Sequence, residues 1–326
     1  MKTIKFLRIM FIAILIAPIS MCVPKTHEDS MSADEYFNRG VSKFEQGDMQ
    51  GAIEDYTRAI EIDPKYTSAY LNRAHAKFKS DDLMGSIEDL ITFIELDPNN
   101  ETAYNNRGFI RQILGDLEGA VEDYNKAIKI NPNFGDAYFN RSTALKFMGN
   151  LEGAIKDYNM LIQINPNDVR AYYYRGAAKF DMGDFQGSLE DFSRVIESEE
   201  NNNIFVKYAV LRIWAIKARA GKKTEAVEEV GKFVKAAPGE EWTDTLLKFY
   251  AGLTGEKALL QAIKSGGSHT GNEKKCEAYF FLAQYYLVNG DPKTAIEYFE
   301  KCIATGMTGF TEYYSAKYEL ERLKKK

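Results

Sequence analysis

The chain is short of the residues that carry most chemistry. Its 326 residues include three histidines (His27, His75, His269), three cysteines (Cys22, Cys276, Cys302) and two tryptophans. Three scattered histidines leave little for metal binding or proton transfer, and three cysteines cannot build a disulfide-stapled framework. Eight prolines and 24 glycines exclude collagen-like and linker-like classes. Positive charge is not in excess: 42 basic and 47 acidic residues give a net charge of −5. A phosphate backbone therefore finds no electrostatic footprint, and no nucleic-acid partner is expected. GxGxxG, P-loop, HExxH, CxxC and GxSxG motifs are all missing. Neighbouring acids such as Glu54 and Asp55 point apart on a helix, so they make poor acid–base partners. The expectation is a non-enzymatic protein with no catalytic residues, no metal and no cofactor. What remains, 45% hydrophobic and 27% charged residues, is an ordinary foldable composition.

The N-terminus reads as an address. Lys2, Lys5 and Arg8 precede a nine-residue apolar run at 9–17, and Pro18 ends it. That run is too short to span a bilayer, which takes about 20 residues, but it suits a signal-peptide core. Residues 19–22 (Ile-Ser-Met-Cys) follow. They resemble the lipobox of bacterial lipoproteins, which implies acylation of Cys22 and loss of residues 1–21. Ile19 and Met21 stand where leucine and a small residue are usual, so plain cleavage near Ser20 and an uncleaved anchor remain alternatives. Residues 22–32, polar and carrying Pro24, read as a tether.

The strongest signal is a period. Pro64, Pro98, Pro132 and Pro166 are 34 residues apart, and each follows Asp or Asn. The same period carries Tyr36, Tyr70, Tyr104, Tyr138 and Tyr172, and the small residues Gly40, Ala74, Gly108, Ser142 and Gly176. Within residues 101–134, apolar positions recur at helical spacing over 104–114. Gly115-Asp116 breaks that stretch, a second helical stretch covers 117–130, and Asn131-Pro132 stops it. Gly108 and Ala120 fall where the two helices would cross. A helix pair of this kind must stack on a neighbour to bury its apolar face, which makes a solenoid.

These units resemble the tetratricopeptide repeat (TPR) family. The fold class expected is all-α, a right-handed α-solenoid of TPR helix-turn-helix repeats with a C-terminal capping helix. Five units (33–202) are followed by degenerate repeat-like helices and a polar loop (203–275), a further TPR unit (276–309) and the capping helix (310–326). Arg39, Arg73, Arg107, Arg141 and Arg175 hold the seventh position of the five units, and Asp55, Asp89, Asp123, Asp157 and Asp191 the twenty-third. A structural ion pair between helices explains that coupling better than an arginine row for an anionic partner, which the aspartates would already neutralise. The resemblance implies that positions 2, 5, 6, 9, 12 and 13 of each first helix line a concave groove. The sixth position holds Asn38, Asn72, Asn106 and Asn140, then Tyr174. Amides at fixed reach can hydrogen-bond an extended peptide backbone. Beside them stand Phe37, Leu71, Phe139, Tyr173, His75, Phe109, Phe78 and Phe180. The alternative is that these residues pack against the next repeat. Cys276 and Cys302 sit at comparable heights on the two helices of the last unit. They are a disulfide in an oxidising compartment or, failing that, unpaired small hydrophobes.

From about residue 207 onward the order of elements resembles the NlpI-type TPR lipoproteins of the bacterial envelope. That resemblance implies an outer-membrane-anchored, periplasmic adaptor, held to the membrane by its N-terminal lipid, whose protein partners are an envelope protease and cell-wall hydrolases. An assembly factor for a secretin, pilus or other envelope complex is the alternative. The NlpI-type relative forms a homodimer through a helical stretch ahead of its first repeat. Here only residues 23–32 intervene, so a homodimer stays open.

Overall fold

The computed structural model describes residues 31–198, 204–236, 241–264 and 271–325. The expected signal segment, Cys22, most of the tether and residues 265–270 of the polar loop lie outside them. The described residues are helical throughout, with no strand, and divide into two compact units.

The first unit, ending at Asp82, holds α1 (Ala33–Glu45), α2 (Met49–Ile62) and α3 (Thr67–Lys79). Ser32 and Glu35 form a reciprocal cap on α1, with the Ser32 amide donating to the Glu35 carboxylate at 2.7 Å. Tyr56, Ala52 and Ala76 form one small core, and Tyr36, Ala59, Ile60 and Ala69 another.

The second unit begins at Leu83. It contains α4 (Leu83–Leu96), α5 (Glu101–Ile113), α6 (Leu117–Ile130), α7 (Gly135–Phe147), α8 (Leu151–Ile164), α9 (Val169–Met182) and α10 (Phe185–Ile196). After these come α11 (Ile204–Arg219), α12 (Lys223–Ala236), α13 (Trp242–Tyr250) and α14 (Glu256–Ala262), then α15 (Gly271–Val288), α16 (Pro292–Ala304) and α17 (Thr311–Lys324). Within this unit the helices from α4 to α12 each pack first on a neighbour in sequence, as a repeat stack requires, whereas α13 packs first on α11.

The sequence explains each pair. Between α5 and α6, Gly115 takes φ +86°, a conformation that glycine adopts freely. Asp116 then caps α6 by accepting from the Gly119 amide at 3.0 Å. At the helix crossing, a Cβ on Gly108 would stand 2.9 Å from the buried Tyr124 ring, so the two helices close only around glycine.

Within the two units, four of the expected arginine–aspartate pairs are bidentate. Arg107 donates to Asp123 at 2.6 and 2.9 Å, Arg141 to Asp157 at 2.5 and 2.9 Å, and Arg175 to Asp191 at 2.5 and 2.9 Å. In the first unit Arg39 holds Asp55 in the same way at 2.6 and 2.8 Å. These arginines also reach backwards. Arg141 donates to Asn125 of the preceding pair at 2.6 Å, Arg175 to Asn159 at 2.7 Å, and Arg73 to Thr57 at 3.0 Å. One guanidinium thus ties its own second helix to that of the preceding repeat, a use of its fork geometry that lysine could not copy. The row serves the stack.

Beyond α10 the stack becomes a thicker body. α11 is buried along most of its length, with α13, α15 and α17 against it, and one core containing Phe180, Trp214, Tyr250 and Phe281 extends on to α16.

Candidate functional site

The site expected from the sequence is the inner face of the first helices. In the second unit these are α5, α7 and α9, and the face changes along them.

On α5 it is open. Phe109 is 39% exposed and Ile113 49% exposed. Asn106 is half-buried. Asn105, at the fifth position, is buried and accepts a hydrogen bond from the Asn140 amide at 3.0 Å. Adjacent repeats are therefore linked by amide to amide, and one donor of Asn140 is already committed.

On α7 it is half-covered. The Arg170 guanidinium lies 4.2 Å from the Phe139 ring centre, a stacked cation–π contact. Phe147 stacks on Tyr314 of α17, with centroids 4.9 Å apart and planes at 16°.

At α9 it is closed. Phe180 has no exposure, and Tyr173 keeps 4% beneath Phe192, Phe205 and Tyr208. Tyr174, half-buried, packs between Tyr158 and Phe205. Tyr173 and Phe180 are therefore core residues and offer nothing to a partner. The reason is the chain beyond residue 203, because α11 and α17 occupy the face that a plain array would leave open.

What seals that end is charged. Arg212 on α11 is fully buried. It donates to Glu312 at 3.0 Å and Ser315 at 3.2 Å, and lies over the Phe280 and Phe180 rings at 4.5 and 5.1 Å. Two turns on, Arg219 donates to Glu319 at 2.6 Å. Arg322 of α17 donates to the Asp181 and Phe180 carbonyls at 2.9 and 3.2 Å, which closes the C-terminus of α9. Lys146 lies beneath Tyr314, its ammonium 4.0 Å from the Asp181 carboxylate. Burial pushes the Lys146 amine down and the Asp181 carboxyl up. Spacing could have revealed this set. Arg212 and Arg219 stand seven apart, as do Glu312 and Glu319, so two turns of each helix bring both pairs into register.

In the first unit, Phe37 is half-buried against Tyr66 and Tyr56, with ring centroids at 5.0 and 5.8 Å. Asn38 and His75 are exposed. The Asn72 side chain is hydrogen-bonded to the Tyr56 hydroxyl, so it holds repeats together. Two cavities lie in the second unit. One of about 710 Å³ is lined by Phe185, Leu189, Arg219, Leu287 and Arg322, and one of about 460 Å³ by Leu189, Ile213, Trp214, Val230 and Phe233.

Family models agree with the repeat pattern. Tetratricopeptide repeat models match residues 33–66, 102–134, 123–156 and 277–304, and a TPR repeat model matches 145–183. Among solved structures, the chain is similar to the C-terminal part of a TPR repeat-containing protein from Cytophaga hutchinsonii. The two are 17% identical, with a TM-score of 0.56, over 82% of this chain and 95% of that one. It is also similar to a tetratricopeptide repeat protein from Parabacteroides merdae, 17% identical at a TM-score of 0.54, over 78% of this chain and 98% of that one. A third likeness is to the MamA protein, 27% identical at a TM-score of 0.49, over 52% of this chain and 92% of that one. The first two speak for the fold.

Proposed function

We propose that this chain, a tetratricopeptide repeat protein, is a non-enzymatic adaptor of the bacterial cell envelope that holds a peptide segment of its protein partners on the inner face of α5 and α7. The repeats themselves make a protein-interaction scaffold. The observation that carries the rest is the gradient along one face, open at Phe109 and Ile113 and closed at Phe180. Such a face takes a segment from one direction only. Exposed aromatic and aliphatic side chains supply the binding energy. The half-buried Asn106 and Asn140 flank them and suit a peptide backbone. The envelope setting rests on the basic, apolar, cysteine order of residues 2–22 and on the NlpI-type arrangement of the C-terminal third. On this reading the partners are an envelope protease and cell-wall hydrolases, and Cys22 carries the lipid.

A photo-crosslinking residue in place of Phe109, in the native envelope, tests the reading. Recovery of a protease or cell-wall hydrolase on that residue supports it. Recovery of a secretin or pilus subunit turns it towards an assembly factor. Absence of any adduct at 109 removes the inner face as the site. Intact mass of the purified protein decides Cys22 separately, since an unacylated N-terminus ends the lipid claim and leaves the scaffold standing.

A further inference from the structure

Cys276 on α15 and Cys302 on α16 place their sulfurs 3.5 Å apart, and neither residue is exposed. They stand 26 positions apart in sequence, on two helices that turn back on each other at Gly290. Phe280 and Phe299 pack beside them, with centroids 6.0 Å apart. The Cys302 sulfur also lies 3.7 Å from the Glu312 carbonyl, where α17 joins the same core. Burial and the neighbouring Cys276 push the Cys302 thiol well above its ordinary value. In the folded, reduced chain it therefore supplies no thiolate to an oxidant. A disulfide needs its sulfurs at about 2.05 Å, so closure draws these two together by roughly 1.5 Å.

We propose that Cys276 and Cys302 are a disulfide-forming pair that staples α15 to α16 as the chain folds in the presence of a disulfide donor. The thiolate of one cysteine attacks the donor disulfide and expels one donor thiolate, leaving a mixed disulfide. The thiolate of the second cysteine attacks that mixed disulfide and expels the other donor thiolate. Two cysteine thiols lose two electrons, the donor disulfide gains them, and the two protons pass to the released thiolates. The reaction belongs to folding. Once α15 and α16 are packed, the same burial shields thiols from oxidant and disulfide from reductant. The inference is independent of what the inner face binds and needs only a disulfide donor during folding, as exporting compartments supply.

The test uses the full-length chain, denatured and reduced, then refolded with oxidised and reduced glutathione in one arm and reduced glutathione alone in the other. Each arm is unfolded in iodoacetamide and mapped by peptide mass. The oxidised arm should give a cross-linked pair of peptides containing Cys276 and Cys302, about 2 Da lighter than the unlinked sum. The reduced arm should carry the alkyl group on both Cys276 and Cys302. A folded, reduced sample treated without denaturant should spare both Cys276 and Cys302. The oxidised arm should melt roughly 6–12 °C above the reduced arm, and Cys302→Ala should abolish that difference. Helical protein from the oxidised arm with Cys276 and Cys302 both alkylated, or each carrying glutathione, overturns the proposal. That map is read on the unaltered chain, so a variant that fails to fold does not decide it.

Discussion

At the scale of single residues, Asp55 and Asp157 show how the cations around a repeat aspartate weigh against its burial. Asp55 accepts from Arg39 and is also held by Lys43 at 2.9 Å. Burial would raise its carboxyl, yet the two cations hold it below the ordinary aspartate range. Among the described residues Asp157 has Arg141 alone, because Leu145 stands where Lys43 stands in the first repeat, and burial wins and pushes its carboxyl up. The two should respond differently to acid. A lowered folded value means that the Asp55 contribution is complete above the unfolded value of about 3.9 and is lost as pH falls through the folded value. Lys43→Met should therefore cost about 1–2 kcal/mol at pH 7 and less at acid pH, as the pH falls through the folded value and Asp55 takes up its proton. Denaturant melts at the two pH values check this, and an equal loss at both would tie Lys43 to packing alone. Arg141→Ala strands a buried carboxylate and should cost roughly 3–5 kcal/mol. A double-mutant cycle with Asp157→Ala should return a coupling of at least about 1 kcal/mol, where simple additivity would mean no working pair.

At the scale of elements, the helix pair was legible because its rules are local. Period, glycine turn, Asn-Pro stop and the small residue at the crossing all lie within 34 residues, as 101–134 shows. Gly108→Val should cost about 1–3 kcal/mol or more, because the Tyr124 ring it would strike is fully buried and has nowhere to retreat. A thermal melt reads that loss, and an unchanged midpoint would mean that α5 and α6 can part without penalty. The site was only half legible. The sixth-position asparagines looked alike in sequence, but what each touches depends on its neighbour. Asn72 meets Tyr56, and Asn140 meets Asn105. Tyr173 and Tyr174 looked like groove aromatics because nothing near them in sequence announces α11 and α17. α17 itself read as a polar cap, since its buried stripe holds Glu312, Ser315 and Glu319 beside Ala316 and Leu320, and the first three are residues usually found outside. Their partners lie about 100 positions away. Glu312→Ala should leave Arg212 buried without its carboxylate and lower stability by about 3–5 kcal/mol. Urea titration followed by tryptophan fluorescence measures it, with Trp214 in the same core as reporter.

For the whole molecule, stability should follow the size of the cores. The first unit rests on clusters of three and four buried residues, whereas one core joins α9 to α17. Amides of α1–α3 should exchange with solvent about 100-fold faster than those of α11 and α15, a difference of ~3 kcal/mol in opening. Hydrogen exchange read by mass spectrometry tests this, and uniform rates would mean one cooperative block. The return of α17 to α9 also puts an order on the making of the protein. Arg322 reaches carbonyls 141 and 142 positions earlier in the chain. The ribosome adds Arg322 141 residues after Asp181, so α9, α10 and α11 are made before the segment that completes them. Helix pairs such as α5–α6 close on contacts a few residues apart and are finished early. Arg212, Phe180 and Tyr173 have to wait, and at a synthesis rate of about 5–20 residues per second the wait from Arg212 to Glu312 is roughly 5–20 s. For that interval a nascent chain presents an unpaired arginine and an aromatic face together, which makes its own unfinished second half the surface most in need of a chaperone.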